Sequence, residues 1–156
     1  MAQTGERSTV LVVDDDADVR TSLEMILQYE GYEVWTARDG PECLARIERE
    51  DGTGRAPSVV MCDVKMPKMD GIETLERILA RPSPPGVIMI SGHADIQTAV
   101  EAVRKSAVDF LEKPLEQNRV LVSLSNALRE KRLAVENRLL RRKISERWQL
   151  IGSSPA

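Results

Sequence analysis

Val59-Val60-Met61-Cys62-Asp63-Val64-Lys65-Met66-Pro67-Lys68-Met69-Asp70-Gly71 is the stretch that decides the fold. Apolar residues run without interruption into Asp63, the pattern of a parallel strand buried on both faces that delivers one carboxylate to its carboxyl end. Open α/β sheets place their sites at that end. Immediately afterwards Met66-Pro67 and Asp70-Gly71 break the strand pattern into a loop, because Pro fixes φ and Gly tolerates positive φ. Asp63 is therefore the first candidate for chemistry. A lone strand-end Asp more often caps or turns the backbone, so its weight depends on what the rest of the chain brings beside it.

Thr9-Val10-Leu11-Val12-Val13 is a second β-branched run, and it ends on Asp14-Asp15-Asp16. Asp16 is the predicted N-cap of a helix over Ala17 to Tyr29, with Val19, Leu23, Ile26 and Leu27 at helical spacing and Gly31 as the stop. Glu33 to Ala37 reads as a strand, Asp39-Gly40 as a turn, and Cys43, Leu44 and Ile47 as the stripe of a second helix. Asp51 to Pro57 is a loop that lacks the Gly-Lys-Ser/Thr ending of a phosphate-binding turn. Beyond the Asp63 strand, Ile72, Leu75, Ile78 and Leu79 mark a third helix closed by Pro82, Pro84 and Pro85. Val87 to Ile90 is a strand ending at Ser91-Gly92-His93, Ile96 to Ser106 a helix with Ala99, Val100 and Val103 inward, and Val108 to Glu112 a strand ending at Lys113-Pro114. Strands alternating with helices predict an α/β, flavodoxin-like five-stranded parallel sheet of order 2-1-3-4-5, followed by a long C-terminal linker helix.

The chain of 156 residues, 42% hydrophobic, is sized for one domain and an appendage. Cys43 and Cys62 lie inside apolar patterns without ligand or disulfide spacing, as small core residues do in a reducing cytosol. Apolar runs are strand-sized and Met1 to Ser8 is polar, which argues against a membrane span or signal peptide and for a cytoplasmic protein. Charge is uneven. Asn126 to Trp148 holds eight basic residues against three acidic ones, a net of +5, so the remainder carries −8 of the total of −3.

The last helix should begin near Glu116, since no Gly or Pro follows until Gly152. Roughly 30 helical residues extend about 45 Å, more than a small domain can cover. Val120, Leu121, Leu124 and Leu128 should pack on the sheet. Further on, Leu133, Asn137, Leu140 and Ile144 recur at spacings of four, three and four, a short coiled-coil seam with one polar position.

In strand order 2-1-3-4-5 the first and third strands are neighbours, so Asp14, Asp15 and Asp63 converge, with Ser91 and Lys113 delivered by the next two strands. Carboxylates so close repel one another unless a cation neutralises them. A hard divalent ion fits, and Mg²⁺ uses one or two carboxylates while contacting a phosphoryl group. An ionised Asp63 oxygen could attack phosphorus in line, with Lys113 pairing one phosphoryl oxygen and Ser91 donating to another.

Val12 to Asp16, Asp63 to Gly71, Ser91-Gly92-His93-Ala94 and Phe110-Leu111-Glu112-Lys113-Pro114 together resemble the receiver domains of two-component response regulators, over about Thr9 to Leu128. The resemblance implies Asp63 as phosphoacceptor, Asp15 as a direct Mg²⁺ ligand, Asp14 as a ligand through water, and the backbone carbonyl of Lys65 as a further ligand. It implies Ser91 and Lys113 as phosphoryl-binding, a cis Lys113-Pro114 peptide, and Phe110 at the switch position where Tyr is frequent. Lacking a hydroxyl, Phe110 could switch with Ser91 by packing alone. Lys65 and His93 resemble positions that tune hydrolysis of the phosphoryl group. Trp148 to Ala156 resembles the opening of the AAA+ domain in sigma-54-dependent activators of the nitrogen-regulation type.

The resulting expectation is a receiver at 1–128, a helical linker at 129–148 and the start of an absent AAA+ output domain at 149–156. A sensor histidine kinase would donate to Asp63, and phosphorylation would control homodimerisation through the linker or the face formed by the fourth and fifth helices. Such a receiver assists its own phosphorylation and dephosphorylation but is not otherwise an enzyme. A stand-alone receiver without DNA output is the alternative within the same family, and two readings from other classes compete. Asp14-Asp15-Asp16 offers the Asp-x-Asp of haloacid-dehalogenase-like phosphatases, but no later acidic pair follows Lys113 with their spacing. The basic helix could contact nucleic acid, but its Arg and Lys fall all around it with no recognition motif.

Overall fold

The computed structural model describes residues 8–92 and 96–150. Five parallel strands, β1 (Thr9–Val13), β2 (Glu33–Ala37), β3 (Val59–Asp63), β4 (Gly86–Ser91) and β5 (Asp109–Glu112), form one sheet in the order β2-β1-β3-β4-β5. Between and after them lie α1 (Ala17–Tyr29), α2 (Gly40–Arg49), α3 (Gly71–Leu79), α4 (Ile96–Arg104) and α5 (Gln117–Leu150). The fold and strand order expected from the sequence are those observed.

Alternation along each strand divides the interior in two. Val10, Val12, Val59, Met61, Ile88 and Ile90 meet Leu23 and Leu27 of α1 and Val120, Leu124 and Ala127 of α5 on one side. Leu11, Val13, Val60, Cys62, Val87 and Met89 meet Cys43 and Ile47 of α2, Leu75 and Ile78 of α3 and Ala102 of α4 on the other. Both cysteines are buried, and burial pushes the Cys43 thiol up to about 12 and the Cys62 thiol well above its usual range.

Three helices start on an aspartate. Asp16, Asp39 and Asp70 each accept a backbone N–H of the first turn, from Asp18, Glu42 and Glu73, at 2.9 Å in every case. α1 ends in a left-handed glycine, Gly31 at φ 96°, with Gly31 N–H donating to Gln28 and Tyr32 N–H to Leu27.

Two expectations need correction. Gly71 does not supply the positive φ of the loop after β3; Lys68 does, at 71°. Gly71 is required by close approach instead, because a Cβ there would strike the Asp63 carbonyl oxygen and the Val64 Cα. Both obstacles are backbone and cannot swing aside. Gly71→Ala should therefore lower stability by about 1–3 kcal/mol in urea denaturation, through overpacking against the strand that carries Asp63. The second correction concerns α4: Val100 and Val103, expected inward, are 49% and 61% exposed, while Ala102 is fully buried. A small residue facing the sheet lets α4 sit close, and the two valines face solvent.

α5 is fastened to the body at two levels. Ser123, fully buried, donates to Asp109 Oδ2 at 2.8 Å, and Arg119 spans both Asp109 oxygens at 3.0 and 3.2 Å. These contacts hold the Asp109 carboxyl below its usual range despite partial burial, which acts the other way. Further along, Lys131 Nζ donates to the Pro84 carbonyl at 2.9 Å. Beyond that point Leu133, Leu140 and Ile144 are exposed. No helix among the described residues is long and apolar enough to cross a membrane.

Candidate functional site

The carboxyl edge of the sheet brings together what the sequence placed there. β1 ends beside Asp14 and Asp15, β3 ends at Asp63, β4 ends at Ser91, and Lys113 follows β5. One carboxylate oxygen from each of Asp14, Asp15 and Asp63 lies within 4.8 Å of the others, with Asp14 and Asp63 buried and Asp15 exposed. Lys113 reaches into the cluster, its Nζ 3.0 Å from Asp14 Oδ2 and 3.6 Å from Asp63 Oδ1. Ser91 is 6% exposed, and its carbonyl accepts the Lys113 N–H at 2.7 Å, so the two proposed phosphoryl contacts are tied by backbone. The Lys113-Pro114 peptide is cis.

The electrostatics follow from this crowding. Burial, then the charge of Asp14, push the Asp63 carboxyl up to about 6, against the opposing pull of Lys113. Burial works against the Lys113 ammonium, but the adjacent Asp14 and then Asp63 outweigh it and hold its pKa above normal. Asp14 Oδ1 accepts the Asp16 N–H at 2.9 Å. Its Oδ2 is buried, pairs with the Lys113 ammonium at 3.0 Å as an ion pair, and has no further hydrogen bond. A buried, under-satisfied carboxylate oxygen inside a ring of three acids is the donor set that a hard, oxygen-seeking cation needs. The cluster can therefore hold a metal.

Several placements bear on the remaining candidates. Lys65 is exposed on the loop after β3. Val64's carbonyl accepts the Gly71 N–H at 2.7 Å. Phe110 is half-buried against the α2–α3–α4 side of the core. His93 lies outside the described residues. Sequence reasoning missed Arg20, whose guanidinium donates to the Asp14 carbonyl at 2.7 Å and pins the loop that carries two of the acids. The available signal was a basic residue one turn into the helix after the acidic triplet. It also missed an apolar groove beside Lys113, lined by Val19, Leu23 and Ile26 of α1 with Pro114 and Leu115.

Comparisons with known proteins point the same way. The family described as "Response regulator receiver domain" matches residues 10–125. The C4-dicarboxylate transport transcriptional regulatory protein DctD of Pseudomonas aeruginosa is 38% identical, over 94% of this chain and 30% of its own length. A response regulator receiver domain protein from Clostridium thermocellum superposes with a TM-score of 0.73 at 32% identity, covering 81% of this chain and 98% of that one. NtrX from Brucella abortus gives 0.76 at 38% identity, covering 86% of this chain and 30% of that one. The chain thus spans about a third of the length of the DctD relatives it matches.

Proposed function

This chain belongs to the response regulator receiver domain family, and from that premise we propose that Asp63 is its phosphoacceptor and a sensor histidine kinase its phosphoryl donor. The observation that carries the assignment is the convergence of Asp14, Asp15 and Asp63 around the Lys113 ammonium. An Asp63 carboxylate oxygen forms the new bond to phosphorus as the bond from phosphorus to the donor's imidazole nitrogen breaks. The electron pair stays with that nitrogen, and Asp63 becomes an aspartyl phosphate. Lys113 pairs a phosphoryl oxygen, and the Ser91 hydroxyl donates to another.

The metal we assign is Mg²⁺, held by Asp15 and Asp63 directly, by Asp14 through water and by the backbone carbonyl of Lys65. When bound it supplies positive charge to the transferring group. Val64's carbonyl is already committed to Gly71, which supports giving the next one along, Lys65's, to the metal. Lys65 and His93 are proposed as modulators of hydrolysis, and Phe110 as a switch that moves by repacking against the core. Like its family, the chain is not a catalyst that turns over a metabolite.

The apolar groove beside Lys113 supports docking of the donor along α1. Ile26→Asp should slow transfer from a histidine kinase about tenfold while leaving uptake from acetyl phosphate unchanged, because only the former needs the groove. The acceptor itself is tested by incubating the chain with acetyl phosphate and Mg²⁺ and weighing it intact. Uptake of one phosphoryl group that vanishes without Mg²⁺ and in Asp63→Ala is expected, and uptake that persists in Asp63→Ala would remove Asp63 from the role.

The division into a receiver at 1–128, a linker at 129–148 and the start of an output domain at 149–156 is part of the same proposal. So is a sigma-54-dependent AAA+ output, supported by the resemblance of Trp148 to Ala156. Homodimerisation is proposed through the exposed Leu133, Asn137, Leu140 and Ile144 of α5, with the α4–α5 face, where Val100 and Val103 are uncovered, as a second surface.

A further inference from the structure

We propose that Arg20 is a positioning residue for the metal at the acid cluster: by holding the peptide that precedes Asp15, it aims the one carboxylate of the three that no other side chain holds. The inference rests on the assignment of Mg²⁺ to Asp14, Asp15 and Asp63 above, and names what presets that site.

Asp14 and Asp63 are buried, whereas Asp15 is exposed. Every polar group of Asp14 has a partner. Its N–H donates to the Ala37 carbonyl at 3.1 Å, its Oδ1 accepts the Asp16 N–H at 2.9 Å, its Oδ2 pairs with Lys113 at 3.0 Å, and its carbonyl accepts from the Arg20 guanidinium at 2.7 Å. Asp15 differs, because among the described residues its carboxylate makes no hydrogen bond or ion pair. Its direction comes from its backbone. The Asp14 carbonyl belongs to the peptide plane that ends at the Asp15 Cα, and a planar peptide turns as one body, so fixing that oxygen fixes the plane from which the Asp15 side chain departs. Arg20 also donates its own N–H to the Asp16 carbonyl at 3.1 Å. One residue in the first turn of α1 thus holds the carbonyls on both sides of Asp15.

The residue type suits the task. A guanidinium is planar and weakly hydrated, so it can stay half-buried against a carbonyl, as Arg20 does, where an ammonium would seek water. Its charge, in contrast, works against a neighbouring cation. The two effects have opposite signs: positioning makes Arg20 tighten the hold on Mg²⁺, and charge alone would make it loosen that hold.

The test is calorimetric titration of the unaltered chain, Arg20→Met and Arg20→Lys with Mg²⁺, with no phosphoryl donor present. Arg20→Met keeps the apolar stem and should bind Mg²⁺ about tenfold more weakly. Arg20→Lys, a shorter cationic donor, should recover about threefold of that loss. In uptake from acetyl phosphate, Arg20→Met should need about tenfold more Mg²⁺ for half its maximal rate and still reach within about twofold of the unaltered maximum. A methionine variant that binds Mg²⁺ as tightly as the unaltered chain, or more tightly, overturns the proposal. So does a lysine variant as weak as the methionine one, which would place the effect in the packing of α1. Should Arg20→Met not fold, Arg20→Lys decides alone, with about threefold weaker binding expected and unchanged or tighter binding overturning the assignment. An unaltered chain that takes up no Mg²⁺ overturns the metal assignment itself, and this proposal with it.

Discussion

Lys113→Met is expected to bind Mg²⁺ about tenfold more tightly than the unaltered chain and to take up the phosphoryl group about a hundredfold more slowly. The two effects have opposite signs because Lys113 has two roles in one position. Its ammonium lies 3.0 Å from Asp14 and 3.6 Å from Asp63, so it already neutralises the acids that we assign to the metal. Removing it leaves three clustered carboxylates without a fixed counter-charge, and a divalent ion gains more by entering. Part of that gain is given back, since Asp63, already pushed up to about 6, holds its proton more firmly without the lysine. During transfer, in contrast, a phosphoryl oxygen loses a charge-assisted partner. Calorimetric titration with Mg²⁺ and the rate of uptake from acetyl phosphate separate the two. Weaker metal binding in Lys113→Met would mean that the lysine orders the acids rather than competing for them.

The parts of this site that were legible in the sequence are those that a parallel strand writes plainly. A strand buried on both faces is an apolar run with an abrupt end, so Asp14, Asp63 and Ser91 stand out as the first polar residues after their runs, while Lys113 stands one residue further on, behind Glu112. What stayed hidden depends on neighbours that are distant along the chain. Gly71 is visible as a glycine, but only the position of the Asp63 carbonyl tells that it serves close approach rather than positive φ. In α4 the valines outweigh Ala102 in any reading of hydrophobic periodicity, yet the sheet takes the alanine because a small side chain permits the closer contact. Arg20 gave only the weak signal of a basic residue early in the helix after the acidic triplet, since its partner is a backbone carbonyl with no residue identity to read.

Asp63→Asn should be more stable than the unaltered chain by about 2–3 kcal/mol at pH 8 in the absence of metal, and no different near pH 4. Burial first, and Asp14 second, raise the folded carboxyl to about 6, whereas in the unfolded chain it titrates near the ordinary value of about 4. Between those limits the folded chain holds a proton that the unfolded chain has already released, so stability falls as pH rises through the window and levels off above about 6. Below about 4 both states are protonated and the penalty disappears. Asparagine keeps the size and cannot ionise, so it removes the penalty. The acid-side contribution of Asp109, present above its unfolded pKa and lost as pH falls through its lowered folded one, is common to both chains and cancels in their difference. Saturating Mg²⁺ should then stabilise the unaltered chain at pH 8, by about 2.7 kcal/mol at a hundred times its dissociation constant, and so close the gap. Urea denaturation at pH 4, 6 and 8, with and without Mg²⁺, measures all of this. A difference between the two chains that does not change with pH would show that Asp63 carries no strained charge, and with it would go the physical reason for a cation at this edge of the sheet.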